Sequence, residues 1–228
     1  MTCGLGIMVK TPDLSPVKTR LAADVGCLRA EAFYLCSAEA VASVALQVPA
    51  TQLTTYWAVA ERRALIGPSW ADLPRMDQGE GGLGERMSHV YRTLRGEHRL
   101  ALLLGADAPQ LTCDMLRRAI DWLSLPGPRL VIGPARDGGF WMFGGNCELP
   151  DQAWTQPTYS QARTRGEFVS AMQGCGEWLE IDELSDVDRG ADLAVVTLSL
   201  QQLPSPTEAQ RRLAGWLEDW MSLKAATP

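Results

Sequence analysis

Gly4-Leu5-Gly6-Ile7-Met8-Val9-Lys10-Thr11-Pro12-Asp13-Leu14-Ser15-Pro16-Val17-Lys18-Thr19-Arg20-Leu21 reads as an apolar run, a loop holding two prolines, and a cationic start to a helix. A short apolar run bounded by turn residues predicts a buried strand. The loop carries two of the chain's three lysines, while arginine supplies the rest of its 21 basic residues. Lysine is a compact point charge suited to phosphate oxygens, and arginine adds a planar fork. A loop that holds both and runs into a helix N-terminus suits an anion. A solvated surface loop would have the same composition.

Outward from this stretch the pattern repeats. Leu53 to Val59, Leu100 to Leu104, Leu130 to Ile132 and Phe140 to Phe143 are further apolar runs that predict buried strands. Between them, Arg29 to Leu46 places Leu35, Ala38, Val41, Ala42 and Ala45 at helical spacing, and Gly84 to Leu94 and Thr112 to Leu123 do likewise. Strands alternating with helices predict an α/β fold with a mainly parallel central sheet flanked by helices. Ligands of such sheets bind beyond the carboxyl ends of the strands. Ser205-Pro206-Thr207-Glu208 has the pattern of a capping box with proline at the first helical position, which predicts a C-terminal helix over about 205–223. Leu213, Trp216, Leu217, Trp220 and Met221 give it one apolar stripe, for docking on the core or for a homodimer contact.

The chain has 228 residues, 46% of them hydrophobic and 21% charged, which fits a packed domain rather than a disordered chain. Its net charge of −6 argues against a nucleic-acid partner, so an anionic substrate must be held by local cations or a metal. The six cysteines are scattered without a C-x-x-C pair, and the two histidines, His89 and His98, are too few for a persuasive zinc site. No signal-peptide pattern and no apolar run near ~20 residues is present, so a cytoplasmic protein without a membrane partner is expected.

Polar clusters fall where strands should end. Gln78-Gly79-Glu80-Gly81-Gly82-Leu83-Gly84 allows positive φ and close backbone approach to a ligand, or simply a flexible turn. Leu104-Gly105-Ala106-Asp107-Ala108-Pro109 sets one carboxylate directly after a strand, placed to hold a divalent cation or to cap the next turn. Asp137-Gly138 signals a hairpin, and Asp188 is either a functional carboxylate or an N-cap for a helix over Arg189 to Val196. Cations, glycines and several carboxylates at the strand ends of one sheet are what metal-assisted phosphate chemistry requires.

The ordered series V-K-T-P-x-x-x-P-V-K-T-R-L, Q-G-E-G-G-L-G-E-R, G-A-D-A-P-Q-L, G-P-A-R-D-G-G-F and D-V-D-R-G-A-D-L, from about Ile7 to Leu193, resembles the DUF2064 family. The resemblance implies a single GT-A (nucleotide-diphospho-sugar transferase) domain over 1–228. It also implies a nucleotide over the first half of the sheet, with Mg2+ or Mn2+ between its phosphates and aspartate. By position, Lys10, Lys18, Thr19, Arg20, Gly79 and Gly81 would bind nucleotide phosphates. Asp107 and Asp188 would be metal ligands, Gly138 and Gly139 would line the acceptor side, and Asp137 and Asp188 would be the catalytic carboxylates. Ser15, Gly82, Ala106, Ala108 and Phe140 depart from the family pattern, the last by loss of a tyrosine hydroxyl.

The expected activity is glycosyl transfer from a nucleotide-diphospho-sugar to a small-molecule acceptor. The alternatives are nucleotidyl transfer from an NTP to a phosphorylated molecule with release of pyrophosphate, or a degenerate nucleotide-binding domain without turnover. The single Asp107 after the central strand, with Asp186-Val187-Asp188 much later, leans toward the nucleotidyl layout.

Overall fold

The computed structural model describes residues 2–225. Cys3–Val9 forms β1, buried along nearly its whole length, as expected of a central parallel strand. The other strands are Leu53–Val59 (β2), Arg75–Asp77 (β3), Leu100–Gly105 (β4), Arg129–Pro134 (β5), Phe140–Gly145 (β6) and Glu177–Glu180 (β7). Among the described residues they make one seven-stranded sheet of order β3-β2-β1-β4-β6-β5-β7, in which only β6 runs antiparallel to its neighbours. The short strands β3 and β7 have no sustained apolar pattern, and sequence periodicity gives no sign of them.

The helices are Thr19–Val25 (α1), Cys27–Ala45 (α2), Leu83–Glu97 (α3), Cys113–Ser124 (α4), Asp151–Thr155 (α5), Thr164–Ala171 (α6), Asp192–Gln201 (α7) and Glu208–Ala225 (α8). One face of the sheet packs on α2 and α4, through Ile7, Val41, Leu104 and Leu116. The other packs on α3, α5 and α6, through Val90, Phe143, Trp154 and Phe168. The contact with α3 explains Gly6, where a Cβ would come 2.8 Å from Val90 Cγ1. A third cluster joins α1, α2, α7 and α8, and it receives Leu213, Leu217 and Trp220, so this stripe of α8 docks on the body of the protein.

Three local expectations need correction. The start of α8 is a capping box two residues later than Ser205: Thr207 Oγ1 accepts from Gln210 N (3.1 Å), and Gln210 Oε1 accepts from Thr207 N (2.9 Å). Both residues are buried, and tertiary partners select this box over the equally plausible upstream one. Asp188 is not a cap. The helix there starts at Asp192, whose Oδ2 takes the Asp188 and Arg189 amides. Leu35, placed on the apolar face of α2 by its spacing, is 41% exposed.

Candidate functional site

β1 and β4 are parallel neighbours, and both end at the mouth of a cleft of about 530 Å³. That volume is in the range of small-molecule sites. The two exits are pinned by polar residues one turn apart on the alanine-rich α2. The Tyr34 hydroxyl accepts from Lys10 N (2.7 Å) and donates to Lys10 O (3.1 Å), and Ser37 Oγ donates to Ala106 O at 2.6 Å. Beyond Asp107, Gln210 Nε2 of α8 donates to Pro109 O and Leu111 O, and Gln110 Nε2 donates to Ser185 O. The chain around Asp107 is therefore fixed from three sides.

Register brings the later aspartates to the same place. β5 and β7 run parallel, and their pairing resumes past a one-residue irregularity at the bridge Ala135–Leu184. Arg136 N donates to Leu184 O and Leu184 N to Pro134 O, so the residues two positions further on, Asp137 and Asp186, lie side by side. Asp188 joins them, and one carboxylate oxygen from each of Asp137, Asp186 and Asp188 lies within 4.8 Å of the others. Burial, then the charges of Asp137 and Asp188, push the Asp186 carboxyl up to about 6. A crowded set of oxygen donors that resists full ionisation without a counter-cation fits Mg2+ or Mn2+.

The cations divide. Lys18 begins α1 in the left-handed conformation (φ 46, ψ 43), which is uncommon for a non-glycine residue and clusters at functional sites. Its side chain is 5% exposed, and Nζ donates to Val187 O at 2.7 Å and pairs with Asp107 Oδ2 at 2.9 Å and Asp188 Oδ1 at 3.8 Å. Arg20 pairs with Asp188 Oδ2 at 2.7 Å from a half-exposed position. Lys10 and Thr19 are exposed at the cleft.

Of the residues singled out by sequence, Lys10, Lys18, Thr19, Arg20, Asp107, Asp137, Gly139 and Asp188 all line this cleft. Asp107 meets Lys18 rather than the other carboxylates. Gly79 and Gly81 take the positive φ values expected of them (76° and 92°), but they are not among the cleft-lining residues. The Gly79 amide is taken by Asp77 and the Gly82 amide by Glu85. Gly138 (φ 89) stands where a Cβ would strike the Ala162 carbonyl, so its role in the structure is to let the loop before α6 close on the Asp137 turn. The sequence marks Asp186 as part of a late Asp-x-Asp without assigning it to the metal, and it gives no role to Tyr34, Ser37 or Gln210. The signal for the last three was a polar side chain on an otherwise apolar helix face.

Residues 37–161 match the profile of a family described as "Uncharacterized protein conserved in bacteria (DUF2064)". The match takes in the glycine loop, Asp107 and Asp137, and leaves the first loop and Asp186 to Asp188 outside. No protein of curated function matches the sequence. Among solved structures, a candidate nucleotide-diphospho-sugar transferase from Desulfovibrio desulfuricans superposes with a TM-score of 0.78 at 24% identity, over 95% of this chain and 96% of that one. The 4-diphosphocytidyl-2C-methyl-D-erythritol synthase of Anaerococcus prevotii gives 0.53 at 8% identity, over 88% and 96%. CMP:2-keto-3-deoxy-manno-octonic acid synthetase complexed with CTP gives 0.52 at 14%, over 89% and 100%. At these identities the likeness establishes the fold, that of the GT-A-like sugar and nucleotidyl transferases.

Proposed function

The chain belongs to the DUF2064 family, and on that premise we propose that it is a metal-dependent transferase that passes a sugar from a nucleotide-diphospho-sugar to a small-molecule acceptor. The observation that carries this reading is the three-carboxylate cluster that shares one cleft, at the ends of β1 and β4, with Lys10 and with Arg20, which pairs with Asp188.

Asp186, Asp188 and Asp137 would hold Mg2+ or Mn2+, which when bound supplies stabilisation of the charge on the departing diphosphate. Lys10, Thr19 and Arg20 would take phosphate oxygens, Lys10 most freely because its ammonium has no partner among the described residues. Lys18 would act from below by holding Asp107 and Asp188 in place. The acceptor oxygen would bond to the sugar C1 as the C1–O bond to the diphosphate breaks. The electron pair leaves with the nucleoside diphosphate, and the acceptor proton passes to the exposed Asp137 and then to water. Each charge-assisted contact is worth about 1.5–3 kcal/mol.

Nucleotidyl transfer is the second reading. It is favoured by the lone aspartate after β4 and by the Lys/Arg-rich first loop. The test is thermal stability against NTPs and nucleotide-diphospho-sugars, each with and without Mg2+ or Mn2+. A ligand at about 100 times its Kd stabilises by about 2.7 kcal/mol. A metal-dependent shift with a nucleotide-diphospho-sugar is expected. A shift with an NTP alone, with pyrophosphate released, would replace sugar transfer by nucleotidyl transfer. Tight binding without turnover of any donor would leave a nucleotide-binding domain.

A further inference from the structure

The cleft has two chemically distinct walls. Beside the charged wall, over the β4–β6 half of the sheet, it is lined by Leu83, Met87, Leu103, Phe140 and Tyr159. Leu83 is 47% exposed at the first position of α3, and Phe140 packs on Phe168 with centroids 4.7 Å apart and the rings tilted by 35°. The polar groups of this wall are already committed. Tyr159 Oη donates to Trp154 O at 2.6 Å, Thr164 Oγ1 accepts from Gln161 N and directs its one proton to either Thr158 O or Gln161 O, and the Trp141 indole donates to Asp182 O. Ser160, exposed at the mouth with φ 61, is the exception.

A site that recognises a polyhydroxylated molecule keeps donors and acceptors aimed at its hydroxyls, because each buried hydroxyl without a partner is costly. This wall offers almost none. We infer that the β4–β6 wall is an acceptor subsite for a molecule with an apolar, ring-bearing body whose single reacting oxygen faces Asp137, three residues before Phe140. The inference rests on the transfer reading above and adds to it the chemical class of the acceptor.

The test uses the full chain with its methionine methyl groups 13C-labelled. Met8 and Met87 line the cleft, whereas Met142 and Met172 are core residues that serve as controls. Phenol and glucose, at equal concentrations, are the probes. Phenol is expected to move the Met87 methyl and leave Met172 in place, with glucose moving neither. Leu83→Ser and Phe140→Ser should each weaken the phenol effect about fivefold, the scale of removing part of an apolar contact. Leu83 is exposed, so its variant reports even where Phe140→Ser fails to fold. A glucose effect equal to that of phenol, or no phenol effect on Met87, would overturn the inference. So would displacement of phenol by the nucleotide, which would put phenol in the nucleotide's own place. Titrating the nucleotide without phenol reads the transfer hypothesis separately.

Discussion

At one end of the first loop Lys10 leaves β1 with its ammonium in solvent. At the other, Lys18 enters α1 with its ammonium enclosed by Val187 O, Asp107 and Asp188. The residue type, the loop and the neighbouring prolines are common to both. The difference comes from what the distant chain brings up: the Val187–Asp188 segment closes over Lys18, and nothing among the described residues closes over Lys10. Lys18 has spent its donors on the protein and can order carboxylates, whereas Lys10 keeps its donors for a ligand. A motif lysine can thus be structural or ligand-binding within a single loop, and its partners decide which.

Substitutions at the two lysines should separate these roles. Lys18→Met leaves Asp107 without its cation. Breaking a fully buried pair costs about 3–5 kcal/mol, and Asp107 is 41% exposed, so a loss of about 2 kcal/mol is expected in chemical denaturation. A stability equal to that of the parent would mean that Lys18 is as free as Lys10. Asp186→Asn should weaken Mn2+ binding roughly ten- to a hundred-fold by titration calorimetry. The same change should raise the metal-free melting temperature at pH 7.5, since a neutral amide relieves the crowding that pushes Asp186 up. A lower metal-free melting temperature would show that no such crowding exists. Lys10→Met should leave the melting temperature unchanged and weaken nucleotide binding about tenfold, the lower end of a charge-assisted contact.

The smallest effect concerns pH. The folded pKa of Asp186, about 6, lies above its ordinary value of 3.8. Its contribution to stability is therefore present below about 3.8 and lost as pH rises through about 6. A cation competes with that proton, so stabilisation by Mn2+ should grow between pH 5 and pH 7.5 as measured by thermal melts. A pH-independent metal effect would remove Asp186 from the set.

Much of this was legible in the sequence, for physical reasons that differ by region. β1, β2 and β4 are central or near-central parallel strands and therefore continuous apolar runs. The Asp137-Gly138 turn is legible because a tight turn with positive φ selects glycine. The edge strands β3 and β7, of three and four residues, bury too little to impose a pattern. Asp107 and Asp188 could be singled out as carboxylates near strand ends, but not the fact that Lys18 stands between them. The Asp137–Asp186 juxtaposition depends on a one-residue shift in the pairing of β5 with the chain after β7, which no local signal encodes. The start of α8 is ambiguous in the sequence because two overlapping capping patterns exist, and only the contacts of Gln210 with Pro109 and Leu111 choose between them.

The central claim is that the carboxylates of Asp137, Asp186 and Asp188, and not Asp107 alone, hold the cation. Diffraction from crystals grown with Mn2+ and the nucleotide that most stabilises the chain, collected near the manganese edge, tests it directly. One anomalous peak is expected among those three carboxylates, with Lys18 still on Asp107. A peak on Asp107 with Lys18 swung away, or no peak at the strand ends at all, would contradict it.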